Sequence, residues 1–170
     1  MMRFSAVDIV FQEVPGEVAL AYTITGCPVG CKGCHSADSW PADRGVELTD
    51  EHFEQQLNRY QGLITAVLFL GGEWHPERLE TLLRRAKLLG LQTCLYTGYE
   101  QVSDTLTQHL TYLKTGPWRP ECGGLDSPTT NQRYYDLRTG EVLNALFCPD
   151  FIDRECINIR KEEQHVALTT

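Results

Sequence analysis

Three cysteines lie close together in the first fifth of the chain, at positions 27, 31 and 34. Cysteine thiolates bind soft metal ions and iron–sulfur clusters, and three of them on one loop can surround a single metal centre. Pro28 and Gly30 lie between the cysteines and allow the tight turns that such a loop needs. The spacing therefore predicts a metal-binding loop formed by Cys27, Cys31 and Cys34.

The residues alone leave three interpretations of this triplet open: buried structural cysteines, zinc ligands, or ligands of an iron–sulfur cluster. Structural zinc usually takes four protein ligands in two close pairs. His35 is adjacent to Cys34 and is poorly placed to share its metal. The other cysteines form no second close pair: Cys94, Cys122, Cys148 and Cys156. An iron–sulfur cluster fits the triplet because one iron can be left open for a substrate.

Two further groups of residues follow predicted strands and are candidates for the same site. Ligands of open α/β sheets bind at the carboxyl ends of strands, so residues that follow strands are expected to meet there. Glycines at such ends let a ligand approach the backbone, and a carboxylate accepts hydrogen bonds from a ligand ammonium. The candidates are Gly71, Gly72 and Glu73 after one strand and Thr97, Gly98 and Tyr99 after the next.

The elements that must position these residues are visible in the hydrophobic pattern. Residues 7–14 and 17–25 predict two strands joined by a turn, and the second strand leads into the cysteine loop. Residues 49–62 and 76–90 have apolar side chains at helical spacing. The first helix has Thr49 as its N-cap, and the second has a proline in its first turn.

Strands and helices alternate from there to residue 116. The apolar runs 64–70 and 91–96 predict buried strands, residues 100–110 a helix, and residues 111–116 a further strand. This alternation is typical of βα units that feed a parallel sheet. We therefore expect an α/β fold with a mostly parallel sheet, either open or partly closed as a barrel.

The length of 170 residues is that of one domain, so we expect a single domain over residues 1–170. From about residue 115 the chain is rich in glycine and proline, which predicts more loop than regular structure. A hairpin that turns at Thr139-Gly140 is expected within this part.

Composition argues against two classes of partner. Fifteen Lys and Arg residues against 23 Asp and Glu residues give a formal charge of −8, and the basic residues form no run that could follow a phosphate backbone. No stretch of about 18 apolar residues is present, and the first residues do not resemble a signal peptide. We therefore expect no nucleic acid, no membrane and a cytoplasmic location, where clustered cysteines are more often metal ligands or catalysts than disulfides.

The cysteine spacing after a strand resembles the cluster motif of the radical S-adenosylmethionine superfamily, whose fold is an incomplete (β/α) barrel. The sequence Gly71-Gly72-Glu73 resembles that superfamily's Gly-Gly-Glu motif, which contacts the amino group of the methionine moiety. The sequences "YTGY" at 96–99, "TYLK" at 111–114 and "SPTTNQR" at 127–133, with the short length, narrow the resemblance. Residues 5–137 are similar to activating proteins of the anaerobic, class III ribonucleoside-triphosphate reductase.

This resemblance implies a 4Fe-4S cluster. The cysteines hold three of its four irons, and the fourth iron binds S-adenosylmethionine. One electron cleaves the cofactor, and the resulting 5'-deoxyadenosyl radical takes a Cα hydrogen from a glycine of the partner reductase. An electron donor such as flavodoxin or ferredoxin is implied as a second partner. The implied cofactor-binding residues are Gly71, Gly72, Glu73, Thr97, Gly98, Tyr99 and Asn131, with Gln132 as a neighbour of the cofactor or partner.

The resemblance has departures, and two other functions stay open. Gly33 precedes the third cysteine, where many superfamily members have an aromatic residue, and Trp74 and His75 separate the Gly-Gly-Glu motif from Pro76. The alternatives are an activase of another glycyl-radical enzyme, such as pyruvate formate-lyase, and a non-catalytic zinc-binding interaction module. The predicted roles of the three tryptophans are in packing, and Cys94 is predicted to be buried and inert.

Overall fold

A computed structural model describes residues 1–154, so Cys156 and the end of the predicted loop-rich part lie outside the described residues. The strands in this part are β1 (Arg3–Val10), β2 (Ala19–Ile24), β3 (Val46–Glu47), β4 (Ala66–Leu70), β5 (Gln92–Tyr96), β6 (Tyr112–Thr115), β7 (Arg133–Asp136) and β8 (Glu141–Val142). The helices are α1 (Asp50–Arg59), α2 (Pro76–Leu88) and α3 (Asp104–Thr107), with short 3₁₀ turns at Ala37–Ser39 and Asn144–Leu146.

All of these strands belong to one sheet, in the order β3-β1-β2-β4-β5-β6-β7-β8. The α/β class is confirmed, but the expectation of a mostly parallel sheet is wrong. The three pairings among β2, β4, β5 and β6 are parallel, whereas the four pairings on the two flanks are antiparallel. Connection length accounts for the β1–β2 and β7–β8 pairings, because such short links can join only antiparallel neighbours. With β3 and β8 as its edges the sheet is open, and an incomplete barrel is not confirmed.

The two long helices form where the sequence predicts them. The Thr49 hydroxyl accepts a hydrogen bond from the backbone N–H of His52 at 3.1 Å, which caps α1, and acidic residues follow in the first turn. Pro76 lies at the start of α2, where its missing N–H costs nothing. The helix predicted over residues 100–110 is reduced to the four residues of α3.

Alternating side chains of the central strands fill a core on each face of the sheet. Leu20, Tyr22, Val67 and Phe69 point to the face covered by α1 and α2. Their neighbours along the strands pack on the other face with Tyr112 and Tyr134: Ala19, Ala21, Ala66, Leu68 and Cys94. Both faces of β4 and β5 are therefore buried, which explains the continuous apolar sequence of β4.

The hairpin predicted at Thr139-Gly140 is confirmed as β7 and β8, which pair antiparallel. Within the described residues, no helix combines the length and apolar character that a membrane crossing needs.

Candidate functional site

The carboxyl ends of β2, β4, β5 and β6 meet at one edge of the sheet, because these strands are parallel neighbours. Their register aligns Thr23, Leu70, Tyr96 and Lys114 in one row across the sheet. A cavity of about 190 Å³ opens at this edge and is lined by all four residues of the row. Seven of the ten predicted site residues also line it: Cys27, Cys31, Cys34, Gly71, Glu73, Thr97 and Gly98.

The cysteine loop leaves β2 and folds over this cavity. The backbone N–H of Gly26 bonds to the Ser39 carbonyl at 2.8 Å, and the N–H of Cys34 bonds to the Cys31 carbonyl at 3.1 Å, so the loop is held at its start and in its last turn. All three thiols are free and partly exposed. Burial raises the pKa of the Cys27 thiol. Metal binding there would release a proton, since the thiolate is the ligand form.

In residues 1–154, no group of three or more His, Cys, Asp or Glu side chains is arranged to hold one metal ion. A four-iron cluster does not need such a point of convergence, because each thiolate binds a different iron. The three thiols therefore fit a cluster better than a single preformed zinc ion.

Glu73 places a carboxylate at the wall of the cavity. The Thr97 hydroxyl donates a hydrogen bond to its Oε1, and Oε2 is buried with no hydrogen-bond partner among the described residues. Burial raises the pKa of Glu73, while the bond from Thr97 and the charge of Lys114 oppose the shift. An unsatisfied buried acceptor is costly for folding and is available to a ligand donor.

The predicted glycines have two different positions. Gly71 lines the cavity with φ at +86°, and a Cβ there would lie 2.5 Å from Cη2 of Trp74. Gly72 does not line the cavity, and a Cβ on it would point at Met2 and Ile24 of the core. Gly98 lines the cavity and approaches the cysteine loop, because a Cβ on it would lie 3.1 Å from Val29.

Besides Gly72, two predicted residues lie outside the cavity lining, and the structure offers others in their place. Tyr99 is 40% exposed, and only its backbone N–H reaches the site, by bonding to the Thr97 hydroxyl at 3.0 Å. Asn131 donates from its side chain to the Pro117 carbonyl at 3.1 Å, and its own Oδ1 is buried without a partner in the part of the chain that the structure describes. Its neighbour Gln132 lines the cavity instead.

Lys114 is the site residue to which the sequence interpretation gave no role. Its side chain lines the cavity, is only 9% exposed and donates to the carbonyls of Gly116 at 3.0 Å and Thr97 at 3.4 Å. Among residues 1–154 no carboxylate lies within ion-pair distance of it. Burial lowers the pKa of Lys114 to about 8, although the acidic groups of Cys31, Cys34 and Glu73 oppose the shift. Its position inside the predicted strand 111–116 gave no sign of this role, which depends on the strand's register.

A second cavity of about 700 Å³ adjoins the first. The two share Cys34, Ser36, Tyr96, Lys114, Trp118 and Gln132. The outer cavity continues to Gln12, Glu13 and the loop around Asp126. The inner site is thus reached from one side through a wider opening.

The other cysteines within residues 1–154 contribute nothing to either lining. Cys94 is fully buried, as predicted, and Cys148 is 7% exposed, while Cys122 is partly exposed. Of the tryptophans, Trp40, Trp74 and Trp118 all line the inner cavity in addition to packing.

Comparison with known proteins gives one family and a group of curated relatives. The family described as a 4Fe-4S single cluster domain matches residues 14–115, which is more than half of the chain. The matched range includes the cysteine loop, Glu73, Thr97 and Lys114, and it ends at the last residue of β6.

Two of these curated relatives are named as activating enzymes of pyruvate formate-lyase. The pyruvate formate-lyase-activating enzyme of Clostridium pasteurianum is 33% identical over 89 residues, which cover 45% of this chain and 37% of that protein. The pyruvate formate-lyase 1-activating enzyme of Escherichia coli strain K12 is 31% identical over 94 residues, which cover 49% of this chain and 38% of that protein. The similarity therefore spans less than half of the length of either relative.

Proposed function

Because this chain belongs to the 4Fe-4S single cluster domain family, we propose that it is a radical S-adenosylmethionine enzyme that forms a glycyl radical on the anaerobic, class III ribonucleoside-triphosphate reductase. The observation that carries the proposal is one cavity in the described chain that joins three free thiols, a buried carboxylate oxygen without a partner and a buried ammonium without an acidic partner. These groups differ in charge and chemistry, and a fold has no need to collect them at one point.

The two charged side chains are complementary to the amino-acid end of S-adenosylmethionine. Glu73 Oε2 can accept from a ligand amino group, and the Lys114 ammonium can donate to a ligand carboxylate. A zwitterionic α-amino acid group satisfies both at once. Binding then supplies the partners that the folded protein lacks, which lowers the cost of burying both charges.

In this function the protein's own residues hold the cluster, position the groups that bind the cofactor and give a partner access to them. Cys27, Cys31 and Cys34 would hold the 4Fe-4S cluster, which when bound supplies one electron for reductive cleavage of S-adenosylmethionine. The Thr97 hydroxyl holds one oxygen of Glu73 and leaves the other without a partner among the described residues. The outer cavity of about 700 Å³ gives a glycine-bearing segment of a partner protein access to the same point.

Two observations point to different partners within this function. The sequences at 96–99, 111–114 and 127–133 favour the anaerobic ribonucleotide reductase. The two curated relatives are named for pyruvate formate-lyase, which makes that enzyme the second candidate. An electron donor such as flavodoxin or ferredoxin is proposed for either partner.

The test is anaerobic reconstitution with iron and sulfide, followed by electron paramagnetic resonance of the dithionite-reduced protein with and without S-adenosylmethionine. The proposal expects a reduced-cluster signal that changes shape when the cofactor is added. Purified ribonucleotide reductase and pyruvate formate-lyase are then supplied separately, and a glycyl radical signal identifies the partner. A colourless protein with one zinc and no response to the cofactor would overturn the proposal in favour of the zinc-binding module.

A further inference from the structure

Trp74 lies between the cysteine loop, which would hold the cluster in the proposed function, and residues 71–73, which would contact the cofactor. It directly follows Glu73, and its indole Nε1 donates a hydrogen bond to the Thr25 carbonyl at 3.2 Å. Thr25 comes two residues before Cys27, directly after β2, where the chain enters the cysteine loop. The indole therefore connects the segment that carries the carboxylate with the segment that carries the first thiol.

Thr25 is a firm point of attachment. It is 2% exposed, and its hydroxyl reaches the carbonyls of Arg44 at 3.0 Å and Arg3 at 3.3 Å. Its backbone N–H also bonds to the Arg3 carbonyl at 3.0 Å. Because Thr25 is bonded on several sides, the indole is bonded to a part of the fold that is already fixed.

The ring of Trp74 also fills the space between the loops. A Cβ on Gly71 would lie 2.5 Å from its Cη2, and a Cβ on Gly26 would lie 3.4 Å from its Nε1. A Cβ on Gly71 would therefore clash with the indole, and a Cβ on Gly26, the residue before Cys27, would lie against it. Its ring also packs against the main core.

A short spacer places the indole there. Helix α2 begins only at Pro76, and the His75 N–H bonds to the Gly72 carbonyl at 2.9 Å to close a turn. Trp74 lies inside this turn, so its backbone is constrained while its side chain reaches across to Thr25.

We propose that Trp74 is a positioning residue that sets the placement of the Glu73 carboxylate relative to the cysteine loop. The inference rests on the proposed function, in which a ligand amino group must reach Glu73 while the same ligand binds at the cluster. Contact of one rigid side chain with both loops fixes their separation, which favours binding at both points together.

The first test compares Trp74→Phe with Tyr60→Phe in the reconstituted protein. Tyr60 packs against the same core as Trp74 but lines neither cavity, so it is the matched control. S-adenosylmethionine affinity is read from the change in the reduced-cluster signal, and iron content is measured in parallel. Trp74→Phe is expected to keep its iron and to bind the cofactor about tenfold more weakly, which corresponds to about 1.4 kcal/mol.

The control is expected to change cofactor affinity by less than about threefold, because it leaves the hydrogen bond between Trp74 and Thr25 in place. Equal effects of the two variants would overturn the inference. Loss of iron from Trp74→Phe would overturn it too, because Trp74 would then support the cysteine loop alone. A native protein that never responds to the cofactor would instead refute the proposed function.

The second test needs no cluster and measures whether the indole restricts Gly71. Gly71→Ala, Trp74→Leu and the double variant of the metal-free protein are unfolded in urea. Gly71→Ala is expected to raise the unfolding equilibrium constant on the order of tenfold more in the native background than in the Trp74→Leu background, where the side chain is shorter. Additive effects of the two substitutions would overturn the proposed contact.

Discussion

Glu73 and Thr97, at the carboxyl ends of neighbouring strands, are joined by a hydrogen bond in which the threonine hydroxyl donates to one carboxylate oxygen. The other oxygen is buried and has no partner in the described chain. Leaving a buried acceptor unsatisfied costs about 1–3 kcal/mol. The arrangement therefore suits a ligand that supplies a donor, and it makes Glu73 costly to the metal-free protein.

Glu73→Gln is expected to weaken S-adenosylmethionine binding about tenfold to a hundredfold, because a hydrogen bond to a charged group contributes about 1.5–3 kcal/mol. Iron content is expected to stay unchanged, since the thiols are untouched. Affinity is measured by titration of the reduced-cluster signal. Glu77→Gln, on an exposed residue in the first turn of α2, is the matched control. Unchanged affinity in Glu73→Gln would contradict the role of this carboxylate.

The stability of the same variant is expected to move in the other direction. The pKa of Glu73 is raised in the folded state, so between its ordinary and raised values the folded protein binds a proton that the unfolded chain has lost. Stability from this group is then lost as pH rises, and the charged form is unfavourable at pH 7. Urea unfolding of metal-free Glu73→Gln at pH 7 should give a free energy of unfolding no lower than that of the native chain. A marked decrease would mean that the residue serves folding.

Lys114 is expected to give the metal-free protein a pH-dependent stability at alkaline pH. Its pKa of about 8 in the folded state lies below the ordinary lysine value of 10.5. Between these values the unfolded chain binds the proton and the folded chain does not, so stability rises with pH by up to about 3 kcal/mol. Measured by urea unfolding between pH 7 and pH 10, the native protein should gain stability relative to Lys114→Met, because burial raises the pKa of the Cys27 and Cys94 thiols and so opposes the rise in both proteins. Lys32→Met, on an exposed lysine of the cysteine loop, should keep this gain.

Much of the site was predictable because parallel strands bring their carboxyl ends to one edge. Cys27, Glu73 and Thr97 each follow a buried strand, and apolar runs ended by glycine marked those strands in the sequence. Helices α1 and α2 were equally predictable, since a capping threonine, an initial proline and helical spacing all indicate the same element. The flanks of the sheet were not predictable in this way, because strand direction depends on which elements pair. Hairpins at both ends of the sheet override the βα pattern of its centre.

The errors within the site have a local cause. The Asn131 amide bonds to the Pro117 carbonyl, so a shift of one position along the chain exchanges a non-lining residue for a lining one. Gln132 lines the cavity and Asn131 does not, although the two are adjacent. Lys114 reaches the cavity because its register places it beside Tyr96, which no local pattern shows.

The three cysteines should be equally necessary for the metal centre. Cys31→Ala removes one of three protein ligands, so the reconstituted variant is expected to lose the cluster absorbance, and with it the activation of any partner. Iron and sulfide analysis and the visible spectrum measure the loss. Cys122→Ala, which removes a partly exposed thiol outside the cavity lining, is expected to keep both. Full cluster absorbance in Cys31→Ala would refute the assignment of the triplet.

Thiol labelling tests the same assignment without substitutions. In the metal-free protein, the reagent should reach Cys27, Cys31, Cys34 and Cys122, which are partly exposed, whereas Cys94 is fully buried and its burial raises the pKa of its thiol. Cys94 is then expected to react at least about a hundredfold more slowly than the partly exposed thiols, because the reagent reaches it only when the fold opens. Peptide mapping by mass spectrometry assigns each modified site.

Cluster assembly should change this pattern at only three positions. Cys27, Cys31 and Cys34 become protected because their sulfurs are bound, while Cys122 keeps its rate because it lies outside the cavity. Chelation and oxidation of the iron should restore reactivity at the same three thiols. Protection that includes Cys122 would indicate general tightening of the fold, and an unprotected triplet would show that the iron binds elsewhere.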